Sequence, residues 1–374
     1  MANTNNGTDA TQLYVSADKA IEGGTGSREK VELRSGRGDS RRTISNLFTG
    51  FNHRMAPLYV PRNAERCGYT FYTRPDYNFS EDNINVSRRL TEALRAGYDS
   101  QAVAIMSMLD PTNALFSYNK NIAKLGAPLR SGIGADPRQA FIPFLSTLQL
   151  SLTGFPDSTL DVYTSEEGLF REQIAMVDST YLVNNVFPLN ATFRNVEGDP
   201  VTTYLVFALE YMAAVKAGDM IAKWSNIYRK RIDYQHRIYR FIMDPTNRYI
   251  RKYGIANAVF PVNDSLGASM NISANEIFVN SNDTIDVQFQ AQGAYYMDPI
   301  ILEDFNRVVR RFNPDMQPAN WDAITYVPRG DMVKLSPSEL VMFNWMGYPQ
   351  INLNTYELNW YVPQAKYDEV YGRT

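Results

Sequence analysis

Few residues in this chain have the types and spacing that catalysis or metal binding requires. Its two histidines, His53 and His236, lie far apart, and neither belongs to a recognisable metal-ligand motif. A zinc site or a histidine-based triad therefore has no support. The glycine-rich stretch GGTGSREK at 23–30 lacks the spacing of a phosphate-binding loop, and no predicted strand precedes it. We predict no catalytic, cofactor-binding or metal-binding residues.

One acidic cluster has residue types that could hydrolyse a glycan. Asp161, Glu166 and Glu167 lie in LDVYTSEEGLFREQ, and two carboxyl groups several ångströms apart are sufficient for that reaction. The same stretch also resembles the start of a helix, where Thr164 or Ser165 would cap the first turn and the glutamates would favour its positive end. We prefer the helix start and keep a carboxylate hydrolase as an alternative.

The tetrapeptide Asp-Pro-Thr-Asn occurs twice, at 110–113 and 244–247. An aspartate can accept the free N–H groups of a first helical turn, and proline suits the first helical position. We therefore interpret the repeat as helix punctuation rather than as a duplicated site. The Asp-Pro pair also occurs at Asp136-Pro137, Asp199-Pro200 and Asp298-Pro299. The last pair precedes an apolar stripe formed by Ile301, Phe305, Val308 or Val309, and Phe312.

The region from Val201 to Met243 has the strongest helical pattern, with a possible break at Ala217-Gly218. Apolar residues recur there at spacings of three, four or seven: Ile221, Trp224, Tyr228, Ile232, Tyr239 and Ile242. Basic residues are predicted on the opposite face: Lys223, Arg229, Lys230, Arg237 and Arg240. Acidic residues interrupt this face, so we predict that it is solvated or contacts another subunit.

The C-terminal part favours strands. Val287, Phe289 and Ala291 alternate with glutamines, which predicts a hairpin strand with one buried face. Ser336 and Glu339 predict a capping box at the start of a short helix. The alternating stretch INLNTYELNWYVP then predicts a further strand near the C-terminus.

The first 45 residues are polar and end in the basic run RSGRGDSRR, which predicts an extended N-terminal arm. Four arginines of this run would meet carboxylates of a partner or stay solvated: Arg34, Arg37, Arg41 and Arg42. We predict an α+β fold, an irregular body with a central helical region, antiparallel β-hairpins in its C-terminal half and this arm. We divide the chain into the arm, 1–45, a mixed, mainly helical region, 46–254, and a β-rich region with short helices, 255–374.

The composition limits the possible partners. The formal charge of −3 gives no overall attraction to nucleic acid or to an acidic membrane surface, and no stretch has the roughly 20 apolar residues that a membrane span needs. The single cysteine, Cys67, is predicted to be buried and excludes an internal disulfide. The start of the sequence lacks a signal-peptide pattern, so we expect the chain to fold in a reducing cytoplasm.

Three stretches resemble virion structural proteins of large tailed bacteriophages. They are TFYTRPDYN at 70–78, GAYYMDPIILEDFNRVV at 293–309, and RIDYQHRIYRFIMDPTNRYIRKYG followed by FPVNDSLGASMNIS. The likeness extends from about residue 50 to about residue 310. The resemblance implies a neck, tail or baseplate component that is present in multiple copies and has no catalytic activity and no cofactor.

The resemblance and the residues together predict a non-enzymatic structural subunit of a tailed-phage virion. We expect its partners to be copies of itself and other virion structural proteins, with no membrane, small-molecule substrate or nucleic acid. We expect it to be made in the host bacterial cytoplasm and to reside in the virion. Two alternatives stay open: a virion-associated cell-wall hydrolase that uses Asp161 with Glu166 or Glu167, and a capsid or head-completion protein that contacts DNA through the basic residues from Arg229 to Arg240.

Overall fold

The computed structural model describes residues 65–91, 101–110, 136, 138–178, 185–271, 283–320 and 326–372. The helices are α1 (Glu81–Val86), α2 (Gln101–Leu109), α3 (Pro143–Leu148), α4 (Pro200–Ala217), α5 (Trp224–Tyr228), α6 (Leu266–Ser269), α7 (Ile300–Phe312), α8 (Pro337–Met342) and α9 (Gln364–Tyr371). The strands are β1 (Arg66–Tyr72), β2 (Gln149–Thr153), β3 (Val162–Thr164), β4 (Ala175–Val177), β5 (Val186–Arg194), β6 (His236–Met243), β7 (Ile250–Pro261), β8 (Thr284–Gln292), β9 (Ala294–Tyr296), β10 (Met332–Lys334), β11 (Tyr348–Asn352) and β12 (Glu357–Pro363). The predicted α+β class is confirmed.

A seven-stranded antiparallel sheet forms the centre of the described chain. Its order is β1-β6-β7-β8-β5-β2, and β9 pairs separately with β7. β5 and β8 pair along nine residues, from Val186 opposite Gln292 to Arg194 opposite Thr284. Alternate residues of both strands are buried, which gives the sheet one apolar face here. Strands of the predicted regions 46–254 and 255–374 meet in this sheet, and that division of the chain stays a prediction.

The sheet has an apolar core on each of its two faces. In the first core, α4 packs its buried side chains, among them Tyr204 and Tyr211, near Phe193 and Phe289 of the sheet. In the second core, α7 and a smaller sheet of order β10-β12-β11 pack against the opposite face. Phe305 of α7 is fully buried there. The side chain of Asn306 binds both the N–H and the carbonyl of Ile351 at 2.8 Å, which joins α7 to β11.

Several helix boundaries agree with the sequence patterns. α4 begins at Pro200, although the side chain of Asp199 makes no capping hydrogen bond. It ends at Ala217, and Gly218 follows with a φ of 89°, in the left-handed region that suits glycine. The carboxylate of Asp298 accepts a hydrogen bond from the N–H of Ile300 at the start of α7. The capping box of Ser336 and Glu339 is present at α8.

The predicted helix from 221 to 243 is wrong beyond its first residues. Only the short α5 forms, and residues 236–243 are the strand β6. The predicted helix start at Asp244 is also wrong, because that carboxylate accepts the N–H groups of Arg248 and Tyr249 in the turn between β6 and β7. Asp136 begins no helix either: its carboxylate accepts from the N–H of Arg138, but the next helix, α3, begins only at Pro143. The helix starting at 110 lies outside the described residues, except for Asp110 itself. Cys67 is exposed, contrary to expectation.

Candidate functional site

A two-stranded hairpin, β3 and β4, is exposed along its whole length. Within residues 157–178 every side chain is exposed except that of Ser165, which is intermediate. Many of these exposed side chains are large and apolar: Leu160, Val162, Tyr163, Leu169, Phe170, Ile174, Met176 and Val177. Monomeric soluble proteins rarely expose a contiguous apolar patch of this kind without an interaction role. We call residues 161–178 the hairpin.

Backbone and side-chain hydrogen bonds hold the tip of the hairpin in a defined shape. The N–H of Gly168 donates to the carbonyl of Glu172 at 2.9 Å, and the carboxylate of Glu172 accepts from the N–H of Phe170 at 2.7 Å. Leu169 and Phe170 are 92% and 87% exposed at this tip. The tip therefore presents two large apolar side chains to solvent on a hydrogen-bonded turn.

The candidate carboxylates of the sequence lie on this hairpin rather than at a helix start. Asp161 is at its base, where its carbonyl accepts from the N–H of Asp178 at 2.9 Å, and Glu166 and Glu167 are near the tip. The helix-start interpretation is therefore wrong. All three residues are exposed on an exposed hairpin, so the described residues build no sugar-binding walls around them of the kind that glycoside hydrolysis uses.

A second feature is a cleft of about 680 Å³, which we call the basic cleft. Asn226 and four segments line it: residues 73–76, 230–237, 257–258 and 308–312. Five of its lining residues are lysine or arginine, and two are aspartate. They are Arg74, Lys230, Arg231, Arg237 and Arg311, with Asp76 and Asp233. The lining therefore has a positive excess in a chain whose overall charge is negative.

Some cations of the basic cleft are neutralised and others are not. Arg237 forms an ion pair with Asp304 of α7, and a guanidinium nitrogen of Arg311 lies 3.6 Å from a carboxylate oxygen of Asp76. Lys230 and Arg231 are exposed, and neither forms an ion pair within the part of the chain that the structure describes. These two cations are the most available to an anionic group.

Arg74 lies deeper in the basic cleft. Its guanidinium lies 4.3 Å from the ring centroid of Phe312, a cation–π contact, and donates to the carbonyl of Met108 at 3.1 Å. Burial lowers the pKa of Arg74 to about 10, although Asp136, Asp76 and Asp110 act in the opposite direction. The residue still carries its charge at neutral pH.

His236 is one of several buried polar residues that line the cleft. It is 3% exposed, and neither of its ring nitrogens makes a hydrogen bond of normal geometry in the described structure. Burial lowers the pKa of His236 to about 4, while the nearby backbone of Tyr234 opposes this effect. The buried ring is therefore neutral at pH 7.

The four predicted interface cations of the central region do not share one face. Arg229 and Lys230 are exposed after α5, and Arg237 faces α7. Arg240 donates to the carbonyls of Tyr69 and Phe241, at 3.3 Å each, and lines a separate cavity of about 630 Å³. Residues three apart on a strand lie on opposite faces, which explains the separation of Arg237 from Arg240. The predicted interface role of these residues stays a prediction.

The arm residues Arg34, Arg37, Arg41 and Arg42 lie outside the described residues. Within the described ranges, no group of three or more His, Cys, Asp or Glu side chains could hold a metal ion. The helices of the same ranges include none that is long and apolar enough to cross a membrane.

An α+β body that carries an exposed apolar hairpin has the features of an assembly subunit. The comparison with protein families agrees, because a family model described as "Putative phage tail tube protein" matches residues 5–374. The chain belongs to this family and is a structural subunit of a phage tail.

Two solved structures match part of this chain. The first is the cap that terminates the tube of the anti-feeding prophage. It is 12% identical to this chain, the match covers 43% of this chain and 85% of the cap protein, and the TM-score is 0.26. The second is the sheath/tube terminator, in its extended state, of an extracellular contractile injection system, PVC. It is 10% identical to this chain, the match covers 43% of this chain and 89% of the terminator, and the TM-score is 0.23. Superpositions of this quality support no conclusion about this chain. No curated protein matches it.

Proposed function

We propose that the chain is a non-catalytic subunit that builds the phage tail by inserting its hairpin into a neighbouring subunit. The neighbours are copies of the chain and other tail proteins, and the chain is made and folded in the host bacterial cytoplasm before it enters the virion. The exposed apolar hairpin is the observation that carries this proposal. The family match to residues 5–374 supports it independently.

The tip alone could contribute much of a contact. Leu169 and Phe170 are almost fully exposed, and burying a leucine or phenylalanine side chain contributes about 1.5–3 kcal/mol. Together they could contribute up to about 6 kcal/mol to each contact before the ordering cost of association is subtracted. Because these side chains contact little within their own copy, their removal should affect assembly and leave folding intact.

The test is incorporation into virions. A tagged Leu169→Ser/Phe170→Ser variant is expressed in host cells during infection by the phage that encodes the chain, and tagged and untagged chains are counted in purified particles by mass spectrometry. A Val341→Ser/Met342→Ser variant is the matched control, because both residues are exposed apolar positions on α8.

We expect the tip variant to be folded by circular dichroism but depleted in particles at least tenfold relative to the tagged wild-type chain. We expect the α8 control to enter particles normally. Equal incorporation of the tip variant and the wild-type chain would refute an assembly role for the hairpin.

The N-terminal arm is a second element of the proposal. We propose that Arg41 and Arg42, with Arg34 and Arg37, form ion pairs with carboxylates of neighbouring subunits. In the same competition experiment, Arg41→Glu/Arg42→Glu should lower the incorporated fraction. If this variant enters particles as well as the wild-type chain does, the arm has no role in holding subunits together.

A further inference from the structure

The basic cleft and the tip of the hairpin have opposite charge. Hairpin residues 161–178 contain five acidic residues and one basic residue, Arg171. The five are Asp161, Glu166, Glu167, Glu172 and Asp178. The cleft has five cations against two lining aspartates. Asp304, which faces Arg237 from α7, adds a third carboxylate, and the cleft is still positive.

The two surfaces also match in their apolar parts. Ile232, which is 51% exposed, Val308 and Phe312 supply apolar walls in the basic cleft. Leu169 and Phe170 lie beside the glutamates of the tip. A tip with carboxylates next to large apolar side chains is the kind of group that such a lining would receive.

We propose that the basic cleft of one copy receives the hairpin tip of the next copy, with Glu166 and Glu167 facing Lys230 and Arg231. This inference rests on the proposed function, because it names the surface to which the hairpin binds. Both surfaces belong to one chain, and the tip is exposed in the isolated copy, so the contact joins two copies head to tail. Contacts of this kind generate closed rings or open helical filaments.

A head-to-tail contact can be detected by disulfide cross-linking. The native cysteine is exposed, so the test chain carries Cys67→Ser together with Glu167→Cys in the tip and Arg231→Cys in the cleft. Particles assembled with this chain are oxidised and separated on a non-reducing gel. The control pairs Glu167→Cys with Lys366→Cys on α9, which is also an exposed position.

We expect a ladder of covalent multimers from the tip–cleft pair, since every copy would be linked to two others. Either single-cysteine variant can produce only dimers, and the α9 control should produce no ladder. A tip–cleft chain that enters particles but remains monomeric on the gel would overturn the proposal.

Charge exchange gives a second test with a different readout. Lys230→Glu/Arg231→Glu should lower incorporation into particles at least tenfold, and so should Glu166→Lys/Glu167→Lys. The chain that carries all four changes should recover at least a third of wild-type incorporation, because the two charged surfaces are exchanged. All four positions are exposed, so the melting temperature of each folded chain should be unchanged. Failure of the combined chain to recover would count against the pairing.

The experiments separate this proposal from the proposed function. If Leu169→Ser/Phe170→Ser abolishes incorporation while the ladder and the charge rescue both fail, the hairpin binds elsewhere and only the cleft assignment is lost. If the tip variant incorporates normally, the proposed function itself fails. Salt-dependent binding of a DNA duplex that Lys230→Glu/Arg231→Glu abolishes, without a ladder, would instead assign the cleft to phosphate groups.

Discussion

Asp304 links the main sheet to α7, and its replacement by alanine should destabilise the protein strongly. The carboxylate is nearly buried and accepts hydrogen bonds from the Tyr239 hydroxyl and from Arg307, at 2.5 Å each. It also pairs with Arg237 of β6. Asp304→Ala removes all three contacts and leaves the Tyr239 hydroxyl without its acceptor in the second core.

The contacts contribute unequally. The Tyr239 side chain is fully buried, and leaving a buried hydroxyl unpaired costs about 1–3 kcal/mol. The side chains of Arg237 and Arg307 are 43% and 69% exposed, so solvent screens them and each pair contributes about 0–1 kcal/mol. We therefore expect Asp304→Ala to lower the free energy of unfolding by about 2–4 kcal/mol, chiefly through Tyr239.

Urea unfolding at pH 7, followed by circular dichroism, measures this loss. Burial raises the pKa of Asp304, but the hydrogen bonds from Tyr239 and Arg307 and the charge of Arg237 outweigh it and leave that pKa below the ordinary value of 3.8. The contribution is therefore complete at pH 7 and is lost only as the pH falls through the lowered pKa.

The control is a double-mutant cycle with Tyr239→Phe. If the unpaired hydroxyl dominates, Tyr239→Phe should cost little or nothing once Asp304 is alanine, although it destabilises the wild-type chain. A loss under about 0.5 kcal/mol for Asp304→Ala, the size of an ordinary surface substitution, would refute this account. Strict additivity of the two changes would refute the assigned role of Tyr239.

Three further predictions concern stability. Phe305→Ala should lower the free energy of unfolding by about 3–5 kcal/mol in urea titrations. The Phe305 ring is fully buried among four aromatic rings at centroid distances of 4.9–5.3 Å. A loss of less than about 1.5 kcal/mol, half of the lower expected value, would contradict this packing. Gly68→Ala should destabilise the folded protein by more than about 1 kcal/mol, since Gly68 has a φ of 71° and a Cβ there would lie 2.1 Å from the carbonyl oxygen of Phe241. An unchanged midpoint of urea unfolding would be inconsistent with that geometry. The pKa of His236 is lowered to about 4 from the ordinary 6.5, so the unfolded chain binds the proton more readily than the folded chain. The contribution of the neutral ring to the free energy of unfolding is therefore complete above pH 6.5 and falls by roughly 3 kcal/mol toward pH 4. His236→Phe should remove this part of the pH dependence, and parallel stability–pH curves for the two chains would exclude it.

Local signals in the sequence predicted several elements correctly. The capping box at Ser336 and Glu339 depends on residues three apart, so no distant partner is needed to recognise it. The stripe along α7 and the alternation along β8 each mark a face that the structure buries. These elements have one buried face and one more polar face, which is the condition under which periodicity is informative.

β6 could not be predicted in this way, because both of its faces are buried. Ile238 lies in the first core, while Tyr239 and Phe241 lie in the second. A strand buried on both faces has no regular polar positions. Its apolar residues then occur at spacings of three and four by chance and imitate a helix.

The candidate site could not be predicted from the sequence, for two different reasons. The basic cleft collects segments around residues 74, 231, 257 and 311, and only the tertiary fold brings these distant segments together. The hairpin has apolar residues at adjacent positions such as Val162 and Tyr163, a pattern that also fits a buried strand. Nothing in the sequence shows that these residues are left uncovered within one copy.

The pairing of β1 with β6 has a consequence for synthesis on the ribosome. Phe71 pairs with Tyr239, and β5 pairs with β8 as far as Gln292, so β1 lacks its partner β6 until much of the chain exists. At about 5–20 residues per second, translation reaches residue 292 only after roughly 15–60 s. During that time the nascent chain exposes unpaired strand edges, and folding dominated by such distant pairings is slow. We expect a nascent chain truncated before β8 to bind holdase chaperones, whereas the released full-length chain does not.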